Sequence, residues 1–168
     1  MYELKKLSKS AIPSALEKAM RYRLLNDPQQ AESISLDILE VEPDNQQALI
    51  LIILALTDQF EDRYLTSLNK SKEVLTRLTG EYDLAYYSGI IAERQARAAL
   101  HRRVPDSTYM AYDHFRAAMD WYEKAQKTHP ENIEDAILRW NSCVRIIMEY
   151  KLVPKPSDER QPIEPFLE

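Results

Sequence analysis

Apolar residues recur three and four positions apart along most of the chain, the spacing that gathers them on one face of a helix. Ala31, Ile34, Ile38 and Val41 form one such stripe, and Leu65, Leu68, Leu75 and Leu78 a second. Ala111, Phe115, Ala118, Tyr122 and Ala125 form a third, and Ile133, Ala136, Trp140, Val144 and Ile147 a fourth. The stretch from Ala48 to Leu56 is apolar throughout. It is about half of the ~20 residues that a membrane-spanning helix needs, so it predicts a helix buried on all sides. Proline and glycine supply the breaks. Asp27-Pro28 reads as an N-cap followed by a first-turn proline, Pro43-Asp44-Asn45 and His129-Pro130-Glu131-Asn132 as stops and restarts, and Thr79-Gly80-Glu81 as a helix ending at glycine. These marks predict seven helices, over residues 12–26, 29–42, 45–58, 62–79, 82–104, 107–128 and 132–151. Beyond them Pro154, Pro156, Pro162 and Pro165 lie among charges, so a helical domain over 1–151 is expected to carry an extended tail over 152–168.

An internal period runs through the helices. Ala118, Tyr122, Ala125 and Pro130 have the spacing of small and aromatic residues that lets two helices approach before a proline ends the unit, and Ala31, Ser35, Ile38 and Pro43 repeat it. Ala19 and Tyr22 precede the latter set, with Tyr22 nine residues before Ala31. In this spacing the chain resembles the tetratricopeptide repeat family. Residues 12–45 look like one complete unit, and the resemblance extends loosely to residue 150 as about three degenerate repeats and a capping helix. Gly89 takes the small position of the third repeat, with Ala92 in place of the aromatic, while bulky Ile53 and Trp140 fill the small positions of the second repeat and of the last helix. Ala92 and Ala118 stand 26 residues apart, 17 more than the nine between Tyr22 and Ala31, and about six residues are extra before Ser71 and Leu75. The resemblance implies an all-α fold of antiparallel helix pairs stacked as a short superhelix, in which one hairpin is extended and projects beyond the stack.

Composition agrees with helix and narrows the chemistry. There are only two glycines, Gly80 and Gly89, and the formal charge of −5 is spread along the sequence, which does not favour nucleic acid as a partner. No secretory signal is read at the basic N-terminus, and the single cysteine, Cys143, allows no intrachain disulfide; a cytoplasmic, membrane-free setting is expected. His101, His114 and His129 lie in different elements without a second ligand at metal spacing, and Cys143 has no histidine near in sequence to activate it. No catalytic residue, metal or cofactor is therefore expected. The one concentrated basic stripe is Arg94, Arg97, His101, Arg102 and Arg103, read as a solvated face paired with Glu93 and Asp106, or else as a dock for an acidic segment or a nucleic-acid phosphate.

The expected function is that of a non-catalytic adaptor or scaffold which binds an apolar or amphipathic segment of another protein in a concave groove. The alternatives are a structural subunit of a larger assembly and, behind it, a nucleic-acid-associated helical protein. Carried over from the family's groove positions, Leu16, Met20 and Leu24 are expected there from the first repeat and Ile50 and Leu54 from the second. Tyr86, Ile90 and Arg94 follow from the third, and Ile137, Asn141, Val144 and Arg145 from the last helix. Leu16 and Met20 occupy the places where some family members hold a terminal carboxylate with lysine and asparagine, so a clamp of that kind is not expected. A second contact surface is expected at the hairpin tip, around Leu100, Arg103, Val104, Tyr109 and Met110. The tail is a candidate internal ligand, with Ile163, Phe166 and Leu167 as anchors docking in the groove.

Overall fold

The computed structural model describes residues 2–102 and 104–156, and among these the chain is entirely helical, with seven α-helices and no strand. They are α1 (Ile12–Leu24), α2 (Pro28–Val41), α3 (Gln46–Thr57), α4 (Tyr64–Leu75), α5 (Glu81–Arg102), α6 (Ser107–Lys127) and α7 (Asp135–Glu149), preceded by a short 3-10 turn at Lys9–Ala11. Each helix packs on the one before it and the one after it. The entry and exit signals explain the boundaries. The Asp27 carboxylate accepts the backbone N–H of Gln30 at 3.2 Å ahead of Pro28, and the Asn45 side chain accepts that of Ala48 at 3.0 Å. Each satisfies one of the free donors at a helix start.

One sequence reading of the breaks and one of the apolar stripes are corrected. Gly80 does not end a helix: α4 stops at Leu75, and Gly80 has negative φ and accepts the N–H of Leu84 at 2.8 Å, which places it at the start of α5. Left-handed conformations fall instead on Asn26, Asp106, Asn132 and Lys151. Leu65, assigned to an apolar stripe, is 71% exposed, whereas Leu68 and Leu78 are buried.

The apolar interior forms two clusters that share α5. The first joins Ile38 of α2 and Leu49, Ile52, Ile53 and Leu56 of α3 to Leu68 of α4 and Ile91 of α5. The second surrounds Phe115, Ala118 and Tyr122 of α6 with Ile90, Ala96 and Ala99 of α5 and Cys143 of α7. Alanine and glycine dominate α5 between residues 85 and 99, and so small a surface lets neighbours approach from both sides. Gly89 is the closest point: a Cβ built there would lie 2.7 Å from Cδ1 of the Tyr122 ring. Ala19, Ala31, Ala118 and Ala125 are likewise fully buried.

The long hairpin of α5 and α6 does not stand clear of the rest along its extra length. Tyr64, at the end of the long α3–α4 connection, receives a hydrogen bond from Gln95 Nε2 at 3.1 Å on its hydroxyl, and the Arg102 guanidinium lies 3.8 Å above its ring. The two insertions thus cover one another, because a bare two-helix extension would leave the apolar side of α5 in water. On the opposite side Leu152 is buried in the second cluster and Lys155 pairs with Asp106 at 2.8 Å, so packing continues past residue 151, where the domain was expected to end.

Candidate functional site

The length of α1 from Pro13 to Leu24, α3 from Gln47 to Leu54 and Tyr87 of α5 line a groove of about 650 Å³. Leu16, Met20 and Leu24 recur along one face of α1, one turn apart. Ile50 and Leu54 share one face of α3, and Tyr87 closes the third side from α5. Between Ala48 and Thr57, where the rest of α3 is buried, Ile50 and Leu54 are only partly covered, while Met20 is 54% and Leu24 77% exposed. Apolar side chains of this size left open beside one another, with Glu17 and Arg23 as the only charged residues of the lining among the described residues, make a surface suited to an apolar ligand.

Arginines stand at the Leu24–Leu54 end. Arg23 Nε donates to Asp58 Oδ2 at 2.6 Å, and Arg94 Nη2 lies 3.1 Å from the other oxygen of the same carboxylate. Burial pushes the Arg94 pKa down, against the opposing pull of Asp58. Toward α7, Glu93 forms a second hub with its side chain only 1% exposed. One of its oxygens accepts from Arg97 Nε and Nη2, at 3.0 and 2.8 Å, and from Arg139 Nη1 at 3.4 Å. The other accepts the Tyr122 hydroxyl at 2.8 Å. A buried carboxylate this deep needs such partners.

Of the residues expected in one groove, Leu16, Met20, Leu24, Ile50 and Leu54 come together, with Arg94 beyond their end. Tyr86 and Ile90 do not join them. Ile90 is 2% exposed in the second cluster, and the Tyr86 ring stacks on Tyr82 and tilts against Tyr122. Both are turned toward α6 because α5 presents 87, 91 and 94 to α3 and 86, 89, 90 and 93 to α6 and α7, a rotation of one residue from the expected register. Tyr87 is therefore the groove tyrosine. Ile137, Asn141, Val144 and Arg145 form no part of this groove: Val144 packs on the second cluster, Ile137 is 36% exposed and Arg145 is exposed on α7.

At the hairpin tip Leu100 packs against the second cluster, which removes it from the expected contact surface, and Tyr109 is half-buried. Val104 and Met110 are about half exposed, at 50% and 47%. Arg103 lies outside the described residues, as do Ile163, Phe166 and Leu167 of the tail. The rest of the basic stripe is partnered. Beyond the pairs above, His101 lies 3.7 Å from Glu61, and Asp106, expected beside the stripe, is taken by Lys155.

The remaining reactive groups are spread out. Cys143 is fully buried, and burial, then Glu93, push its thiol up to about 12, far from the thiolate that a nucleophile requires. The His114 pKa is lowered by burial and by Lys72 against the pull of Asp113. Among the described residues no cluster of three metal-ligating side chains occurs, and no helix is long and apolar enough to cross a membrane. Asp58 and Glu93 were missed as organising groups. The i, i+4 spacing of Glu93 and Arg97 was readable, but partners on α6 and α7 leave no mark in local sequence. No family model, curated protein or solved structure matches the chain.

Proposed function

We propose that this protein is a non-catalytic interaction module, an adaptor or scaffold of tetratricopeptide-like construction, and that the α1–α3–α5 groove holds an apolar or amphipathic segment of a partner protein. One observation carries the reading: Met20 and Leu24 project from α1 into a groove whose other walls are Leu16, Ile50, Leu54 and Tyr87, and they remain half or more exposed. Covering such side chains contributes about 25 cal/mol per Å² of apolar surface, enough for a short helix or strand to bind through three or four anchors. The buried thiol of Cys143 suits a reducing compartment such as the cytoplasm.

The reading is tested by placing a photo-crosslinking amino acid at position 24 of the full chain in its source cells, with and without Met20→Glu. A glutamate at so exposed a site changes stability by no more than about 0.5 kcal/mol but puts a charge in the groove. A defined crosslinked protein that disappears with Met20→Glu, and rebinds in purified form to the wild-type chain alone, is the expected result. Crosslinking that is indifferent to Met20→Glu would remove the groove from consideration.

A further inference from the structure

We propose that the arginine end of the groove reads an acidic side chain in the partner, so that the bound segment is an amphipathic protein helix with apolar anchors followed by a carboxylate about two turns from the first of them. This rests on the reading of the groove as the binding face. The charge arrangement supplies the argument. Two guanidinium groups, Arg23 and Arg94, share one carboxylate, Asp58, at this end, leaving an excess of positive charge there on a chain whose net charge is −5. The opposite end of the lining carries Glu17 and no cation. The groove is therefore polar along its length, apolar in the middle and opposite in sign at its ends.

Arg94 is the group with capacity to spare. A guanidinium has five N–H donors. Among the described residues Arg94 pairs only with Asp58, which Arg23 already engages through a well-formed hydrogen bond, and 29% of its side chain is open. An incoming carboxylate would meet a cation held in place by its neighbours and partly stripped of water, the setting in which a charged hydrogen bond is strongest. Distance sets the register. Leu16 to Leu24 spans about 12 Å of helix, so a ligand helix lying along α1 reaches the arginines roughly seven to eight residues after its first anchor. Its dipole favours the same direction, with the positive N-terminus toward Glu17 and the negative C-terminus toward Arg94.

The test selects binders to the intact chain from a displayed library of random 16-residue peptides, then titrates the best of them, fluorescently labelled, by anisotropy at low and moderate salt. Selected peptides are expected to carry apolar residues three and four apart with Asp or Glu about seven to eight positions beyond the first. Replacing that acid by Lys should weaken binding at least tenfold, and Arg94→Gln should reduce this acid-to-lysine ratio to near one while leaving the circular dichroism spectrum unchanged. Arg23→Gln serves as the second variant should Arg94→Gln fold poorly. Peptides that need Met20 and Leu24 but show no acid preference, or a preference that survives both glutamine variants, overturn the acidic subsite and leave the groove standing. Peptides that bind equally well to Met20→Glu and Leu24→Glu overturn the groove and the subsite together.

Discussion

A methyl group added at Gly89 would come within 2.7 Å of Cδ1 of Tyr122, and Tyr122 is not free to move aside because its hydroxyl is held by Glu93. In an open helix Gly→Ala is worth about 1 kcal/mol of stabilisation. Here the overpacking of a fully buried ring outweighs it, at about 1–3 kcal/mol, so Gly89→Ala is expected to lower the urea midpoint. Combining it with Tyr122→Leu should cost less than the two changes apart. A Gly89→Ala protein at least as stable as the wild type would mean that the crossing of α5 and α6 has slack. This contact was legible in the sequence, since a lone glycine in a helical pattern beside alanines signals close approach, and Tyr122 occupied the facing motif. The Glu93 hub was not. Its hydrogen bonds join residues 29 and 46 positions apart, and a glutamate four residues before an arginine reads equally well as an exposed surface pair.

At the scale of the element, the seven helices and most of their ends follow from capping residues and apolar spacing, but chain termination by left-handed residues other than glycine does not. Lys151 has φ of +50°, while the Leu152 N–H bonds to the Ile147 carbonyl at 2.9 Å and the Lys151 N–H to that of Met148 at 3.2 Å. This is the Schellman arrangement, completed by burial of Leu152, and it demands a conformation that lysine adopts at a cost. Lys151→Gly should therefore stabilise the chain by about 0.5–1 kcal/mol, visible as a higher midpoint of thermal unfolding. A lower midpoint would show that the stem of the lysine contributes more than its backbone costs. The insertions illustrate a different limit. Their lengths could be counted from the repeat spacing, yet nothing local indicated that Tyr64 in one would reach Gln95 and Arg102 in the other. The groove shows the same division: the positions carried over from the family resemblance come together on α1 and α3, whereas α5 packs on two sides, with Gly89 against Tyr122 at its crossing with α6.

Across the whole molecule, the two apolar clusters differ in chemistry. The first is largely aliphatic, while the second holds Tyr122 and Cys143, with Tyr82 and Tyr86 packed against it and Tyr87 packed against both. Burial is the largest cause in raising the pKa of each of these five groups. The Tyr82 phenol is pushed from 10.0 to about 12, and its buried hydroxyl has no hydrogen-bond partner among the described residues. The Cys143 thiol moves from 9.0 to about 12. A group whose pKa is higher folded than unfolded supports the fold fully below its unfolded value and loses that support as pH rises toward the folded one, because the unfolded chain releases the proton first. The contribution of these groups is thus constant from pH 7 to about 9 and falls above it, beginning with Cys143 and continuing with the tyrosines. Urea unfolding between pH 7 and 11 should show a decline that sets in near pH 9, with its earliest part removed by Cys143→Val. The comparison that isolates the buried groups is between the two halves. Amide exchange should show α6 and α7 losing protection at lower pH than α2 and α3. Equal loss in both halves, or stability undiminished at pH 11, would mean that the phenols and the thiol reach water without opening the cluster that α5 shares with α6 and α7.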